Sequence, residues 1–300
     1  PADAARQGRQ GVAATGMDDM TMRIGFIGLG RLGAQLVDRL LEIEFEALTL
    51  YDIDEKATAR YRDTGATLAR SVGEVASGAL DLIGICVQDD AQVEEVVAAL
   101  LAESLPAGTI IAVHATVHPA TCRRLAADTA AVGVNLVDAA ISNGGRTPGA
   151  TPTRVVLFGG DGATFRRCRP YLEGLGDVVE HVGELGSGQV LKLLNNLLMI
   201  LNMGTTDTVM RCGKQLGIAE DVMTRSLSTG SGSSQGIRTL LGSERAAHND
   251  IVLGKDLRLA LDVVAAGGCE TGPMQLAGEA ALLALAERAA GAGAPTAASS

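Results

Sequence analysis

Lys192 and Asn196 lie four residues apart in the segment Gly188-Gln189-Val190-Leu191-Lys192-Leu193-Leu194-Asn195-Asn196. That spacing puts a cation and an amide on one face of a helix. The rest of the helix is mostly apolar, so a lysine held in a cleft there would be desolvated. Desolvation disfavours its charged form and brings its pKa toward working pH. A neutral amine there can take the proton of an alcohol while hydride leaves the carbinol carbon, and Asn196 can orient the hydroxyl. The same pair has a structural use: a lysine reaching solvent from a helix start, beside an asparagine bonded to a neighbouring helix.

A hydride needs an acceptor, and the N-terminal part of the chain supplies a place for one. The apolar run Ile24 to Ile27 reads as a buried strand. It leads into Gly28-Leu29-Gly30-Arg31-Leu32-Gly33, with glycines at G-x-G-x-x-G spacing, and then into a helical stretch. Gly28 permits the tight turn, Gly30 lets backbone N–H groups approach a pyrophosphate, and Gly33 lets helix and strand pack closely. The helix N-terminus adds partial positive charge for the phosphates. A second apolar run, Ala47 to Leu50, ends at Asp52. A carboxylate there can accept hydrogen bonds from ribose hydroxyls and would repel a 2′-phosphate, so the spacing predicts NAD in preference to NADP. A glycine turn in some other α/β protein is the alternative; the strand before, the helix after and the acid at the second strand weigh against it.

Composition narrows the choice. Hydrophobic residues make up 47% of the 300, enough for a large core, but aromatics are only 2% and Trp is absent. The core is therefore aliphatic, and few rings are available to stack on single-stranded nucleic acid. A net charge of −10 argues against nucleic acid and anionic membranes as partners. The five cysteines (86, 122, 168, 212 and 269) and four histidines (114, 118, 181 and 248) show no metal-ligand spacing. No structural metal is expected, and buried or inert thiols in a reducing cytoplasm are the reading.

From Met22 to about Gly186 strand-like runs alternate with helical ones. Strands are expected at 23–28, 47–51, 80–87, 109–113, 134–138, 154–159 and 177–182. Helices are expected at 31–42, 55–64, 91–103, 119–131 and 161–174. Such alternation predicts an α/β, doubly wound parallel sheet with ligands beyond the carboxyl ends of its strands. That edge holds Gly28–Gly33, Asp52, Val87–Asp90, His114–Pro119 and Ala139–Gly149. Gln189 to about Leu216 then reads as one long helix, too polar for a membrane span. The remainder of the chain is helical, with a Gly/Ser break at 228–236. The expected organisation is a flexible leader (1–21), a dinucleotide-binding domain (22–186), an all-helical domain (187–290) and a flexible tail (291–300).

Four segments together resemble the β-hydroxyacid dehydrogenases, which include 3-hydroxyisobutyrate dehydrogenase and tartronate semialdehyde reductase. They are Gly25 to Gly33, Asp138 to Gly145, Gly188 to Asn196, and Lys255 to Asp262. The resemblance runs from about residue 22 to 288. It implies a Rossmann-type domain joined by a long interdomain helix to a helical domain that forms homodimers or homotetramers. It also implies NAD-dependent oxidation of a β-hydroxy acid, with Lys192 as acid/base and Asn196 its companion. The family's second lysine, which closes over the cofactor, falls on Lys255. Val87, Gln88 and Thr116 fall on the cofactor side. The substrate loop falls on Asp138 to Gly144, with Ser142, Asn143 and Gly144 as its substrate-binding residues.

The departures cluster where substrate is read. The family's Ser-Thr pair is Ala115-Thr116 here, which removes a hydroxyl, although Thr116 can still reach the nicotinamide end of the cofactor. Gln88 replaces a proline, Ala140 a proline and Asn143 a glycine. Arg146 can substitute as a carboxylate clamp or be an exposed loop residue. Lys255 can equally be a surface lysine paired with Asp256. His114 and His118 read as solvated loop residues, and Gln235 and Arg238 as further candidates for the pocket wall. An imine reductase on the same scaffold and a non-catalytic NAD-binding dimer are the rival functions. Lys192 and Asp52 count against the first, and the buried Lys192–Asn196 pair counts against the second.

Overall fold

The structure is a computed structural model, and it describes residues 22–43, 45–78, 80–143, 153–241 and 250–292. Gly144, Arg146, the leader and the end of the tail lie outside these, as does the side chain of Asn143.

Eight strands form one sheet: β1 (Arg23–Ile27), β2 (Ala47–Tyr51), β3 (Thr67–Leu68), β4 (Leu82–Ile85), β5 (Ile110–Val113), β6 (Asn135–Asn143), β7 (Arg154–Gly159) and β8 (Val178–Gly183). Their order is β3-β2-β1-β4-β5-β6-β7-β8. The order reverses between β1 and β4, which opens a crevice at their carboxyl ends. The connecting helices are α1 (Arg31–Leu40), α2 (Glu55–Ala59), α3 (Val72–Ala76), α4 (Asp90–Leu101), α5 (Pro119–Ala130) and α6 (Gly162–Leu175).

The apolar runs make strands because both faces of the sheet are covered. Leu82, Ile110 and Ala112 pack on one layer with Leu36, Leu40 and Tyr171. The alternate residues Ile83, Ile85, Ile111 and Val113 pack on the other with Val93, Val97 and Leu100.

One expectation needs correction. The sheet is not wholly parallel: β6 and β7 pair antiparallel, with Asp138 opposite Gly159 and Ser142 opposite Val155. An apolar run carries no direction in its composition, so periodicity could not separate the two cases. The expected strand at 134–138 also continues to Asn143, so residues 139–143, expected as a loop, are strand paired with β7.

After Gly186 the chain is helical. α7 (Ser187–Gln215) runs 29 residues without a break, and then come α8 (Glu220–Thr229), α9 (Gln235–Leu241), α10 (Asp250–Ala266) and α11 (Gly272–Ala292). Leu193, Leu197, Ile200 and Met203 of α7 share a core with Leu240, Leu253, Leu257 and Leu285. No helix of the described residues is long and apolar enough to cross a membrane.

Candidate active site

Gly28 has φ +97, and a Cβ there would lie 2.4 Å from the Cys86 carbonyl; a Cβ on Gly33 would lie 1.9 Å from the Gly28 carbonyl. The turn therefore needs both glycines. Around Gly30, by contrast, there is open space: nothing lies within 4 Å of where its Cβ would be. Gly30 is also the N-cap of α1 and makes no side-chain cap. Helices α2 to α6 are each capped by a side chain of their own (Asp54, Ser71, Asp89, His118 and Asp161). The first N–H groups of α1 are left without such a partner, beside an unfilled space, which fits an anionic phosphate pair.

Asp52 follows β2 and faces this loop. It accepts from Leu29 N at 2.5 Å and from Asp54 N at 2.8 Å. Asp54, two residues on, caps α2 through Lys56 N. Two carboxylates therefore stand at the end of β2, beside the glycine turn. Val87 and Gln88 come after β4 and Thr116 after β5, all at the carboxyl edge.

Lys255 on α10 joins the helical part to that edge. Its Nζ donates to Gln88 O at 2.8 Å and to Thr116 O at 2.7 Å, and lies 3.7 Å from Asp256 Oδ1. Lys255 is thus partly exposed and paired with Asp256, and it also holds two carbonyls of the sheet edge.

The first turns of α7 enter the same edge. Gly186, the N-cap, has no side-chain cap of its own. Asp138, fully buried at the middle of β6, replaces it by accepting from Gly186 N at 2.5 Å and Gln189 N at 2.7 Å. Burial pushes the Asp138 carboxyl up, and these backbone N–H bonds pull it back. Gln189 bonds to the chain on both sides of Thr116: its Oε1 accepts from Val117 N at 3.1 Å, and its Nε2 donates to Ala115 O at 2.8 Å.

Lys192 comes one turn later. Burial lowers its pKa from the ordinary lysine value, the charge of Asp256 raises it and that of Lys255 lowers it. It has no hydrogen bond or ion pair among the described residues. Asn196 is buried and donates through Nδ2 to Asp256 Oδ2 at 2.7 Å. Asn195 donates to Ser142 Oγ at 3.2 Å, which ties the end of β6 to α7. The structure thus brings Lys192, Asn196, Lys255, Thr116, Gln88 and Ser142 to one edge of the sheet.

Other expected residues fall elsewhere. His114 is not solvated: it is 1% exposed, with Nδ1 2.8 Å from Ala139 O and Nε2 2.7 Å from Tyr171 Oη. Burial lowers its pKa to about 4. His118 caps α5 through Nδ1, accepting from Ala120 N. Ala115 is buried in the layer under β5, so its side chain faces the core and not the cleft. Gln235 and Arg238 bond to each other, and Arg238 to Ser233; no hydrogen bond joins them to Lys192 among the described residues. Cys86, Cys122 and Cys168 are buried and free, while Cys212 and Cys269 are exposed.

Sequence reasoning misses Asp256 and Gln189 as site residues. Asp256 sits beside Lys255, and Gln189 beside Gly188, but a polar residue within a helical run reveals nothing of partners 60 or 74 positions away. Asp256 is 3% exposed, burial pushes its carboxyl up, and its Oδ1 has no hydrogen-bond partner.

Comparison with known proteins agrees with this arrangement. Residues 23–183 match the family model for the NAD binding domain of 6-phosphogluconate dehydrogenase. Residues 186–298 match that for the NAD-binding region of NADP-dependent 3-hydroxyisobutyrate dehydrogenase. An uncharacterised oxidoreductase of Mycobacterium tuberculosis is 36% identical over 66% of each chain; the chain spans about two thirds of the length of such curated relatives. The NAD-dependent L-serine dehydrogenase of Pseudomonas aeruginosa is 31% identical over 71% of each chain. The Mycobacterium tuberculosis 3-hydroxyisobutyrate dehydrogenase, in a structure with L-serine, shares the fold with a TM-score of 0.76 at 22% identity, over 90% of this chain and 96% of that one. On the two family matches and the relatives at this identity, the chain belongs to the β-hydroxyacid dehydrogenase family of oxidoreductases.

Proposed function

We propose that the protein oxidises a β-hydroxy acid, or reduces the matching semialdehyde or keto acid, with NAD and with Lys192 as the acid/base. The observation that carries this is the desolvated, unbonded amine of Lys192 at the sheet edge, close to Asp256, Asn196 and Lys255. The names of the relatives, which include hydroxy-acid and L-serine dehydrogenases, support the substrate class.

NAD, when bound, takes up the hydride that leaves the carbinol carbon. The uncapped start of α1 and the space at Gly30 would hold its pyrophosphate, with Leu29, Arg31 and Leu32 around the turn. Asp52 would hold the ribose hydroxyls, and with Asp54 beside it a 2′-phosphate would meet two negative charges; this supports NAD over NADP. Val87, Gln88, Thr116 and Lys255 would border the far end of the cofactor. Asp256 fixes the Asn196 amide, which would orient the substrate hydroxyl. Lys192 Nζ, whose charged form burial disfavours, takes the hydroxyl proton in its neutral form as the carbonyl forms. Ser142 Oγ already accepts from Asn195, so its own proton is free to donate to the substrate carboxylate, with Asn143 and Gly144 continuing that loop.

We further read the chain as two functional units, 22–186 and 187–290, and as a homodimer or homotetramer. Leu191, Leu194 and Leu198 are 40%, 41% and 61% exposed, and their spacing makes one apolar stripe along α7 beside the site. The free cysteines support a reducing compartment such as the cytoplasm. The experiment that tests the activity is NAD⁺ reduction across a panel of β-hydroxy acids, with wild type and Lys192→Ala side by side. A signal lost in the variant is expected, and an equal signal in both would remove Lys192 from the mechanism.

A further inference from the structure

Gln189 makes contacts that the proton relay does not use. Its side chain is fully buried, one turn before Lys192 on α7. Its amide lies against residues 115–117 as a neighbouring strand would, accepting from Val117 N and donating to Ala115 O. The two bonds bracket Thr116, whose carbonyl receives Lys255 Nζ on its other side. The backbone N of the same residue is bound to Asp138 Oδ2, so Gln189 is itself fixed to β6. The loop after β5 therefore cannot shift against the first turn of α7 without breaking buried hydrogen bonds, which are costly to leave unmade.

We propose that Gln189 is a positioning residue for hydride transfer: it holds the Thr116 loop, and with it the nicotinamide end of the cofactor, in one frame with Lys192. This rests on the dehydrogenase reading. Hydride transfer needs the reacting atoms within roughly 3–3.5 Å, and a displacement of about 1 Å can cost on the order of 100-fold in rate. A glutamine that merely satisfied two peptide groups would affect stability and leave turnover of the folded enzyme alone. This one ties together the cofactor side and the proton-accepting side of the cleft.

Two variants test the proposal. Gln189→Met keeps the volume and removes both bonds. Gln189→Glu keeps the acceptor for Val117 N and loses the donor to Ala115 O. The measurements are kcat, the dissociation constant of NADH by fluorescence titration, the emission of the bound nicotinamide, and Tm. The expected result is a loss of kcat of about 30- to 100-fold in Gln189→Met, with a smaller loss in Gln189→Glu. NADH affinity should stay within about threefold, while the emission of bound nicotinamide changes because the ring is no longer held. Folded variants with kcat within twofold of wild type and unchanged emission, whatever their Tm, would overturn it. Should Gln189→Met fail to fold, Gln189→Glu decides, with a loss of kcat and a changed emission of bound nicotinamide expected under the proposal, since it loses the donor to Ala115 O. If wild type turns over no hydroxy acid, the dehydrogenase reading fails. The nicotinamide emission still decides on Gln189, because it needs no turnover.

Discussion

Asn196 on α7 and Asp256 on α10 are joined by a 2.7 Å hydrogen bond, buried at both ends, and the second oxygen of Asp256 has no hydrogen-bond partner. Lys255 Nζ stands 3.7 Å from that oxygen. A buried carboxylate half satisfied in this way is costly unless its charge serves something close by. The group it influences is Lys192, whose protonated form it favours.

The pH profile should report that influence. Burial and Lys255 lower the Lys192 pKa, and Asp256 alone raises it. Asp256→Asn removes the opposing charge, so the acidic limb of kcat/KM for alcohol oxidation, where Lys192 becomes protonated, should shift to lower pH. Turnover should fall about 10-fold as the Asn196 amide exchanges a charged acceptor for a neutral one. Profiles of wild type and variant measured between pH 6 and 11 check this; an unmoved limb would uncouple Asp256 from the lysine.

Lys192→Ala should lower kcat by about 10²- to 10⁴-fold, the usual contribution of a positioned acid/base. NADH binding should survive, because the residues proposed to hold the phosphates and ribose, at Gly30 and Asp52, are not those around Lys192. Stopped-flow turnover beside a fluorescence titration separates the two effects.

Asp52→Ala should weaken NAD by about tenfold in kcat/KM and improve NADP by a similar factor, because a carboxylate that rejects a 2′-phosphate has gone. Paired kcat/KM values for the two cofactors measure it. A preference ratio unchanged from wild type would shift discrimination to Asp54.

The core histidine makes a prediction about stability. Burial lowers the His114 pKa from 6.5 to about 4, so the unfolded chain takes up a proton that the folded state resists. Its contribution is fully present above pH 6.5 and is lost as pH falls toward 4, about 3 kcal/mol across the whole span. Urea midpoints at pH 7, 5.5 and 4.5 should fall more steeply for wild type than for His114→Gln. Parallel curves would place the acid sensitivity elsewhere.

Leu198→Asp, at the most exposed position of the α7 stripe, should shift the protein to the mass of a single chain in light scattering. A mass unchanged from wild type would free that stripe from the subunit contact.

Legibility in the sequence tracks the range of the interactions. The strand, glycine turn, helix and Asp52 are consecutive, and each constrains its neighbours, so that unit was legible. Lys192 and Lys255 were legible through local motifs. The pairing of β7 against β6 was not, because Val155 to Phe158 reads the same in either direction. His114 looked like a loop residue because it ends a strand; its burial depends on Tyr171, which lies 57 positions away and supplies the hydroxyl it needs. Gln189 was hidden for the same reason, since its use is defined by atoms 72 and 74 residues distant.

The unbroken length of α7 makes it a lever. Lys192 sits near the anchored end, and the 23 residues from it to Gln215 span about 35 Å at 1.5 Å per residue. A tilt of about 3° at the Asp138 anchor would therefore move the far end by roughly 2 Å and barely disturb the amine. The fulcrum is at the chemistry and the long arm is elsewhere. Gly204, where a Cβ would come within 1.9 Å of the Ala277 carbonyl, presses that arm against α11. Bulk introduced there would be felt first as a rotation of the helical part, with Lys255 and Asp256 carried off while Lys192 stays with the sheet.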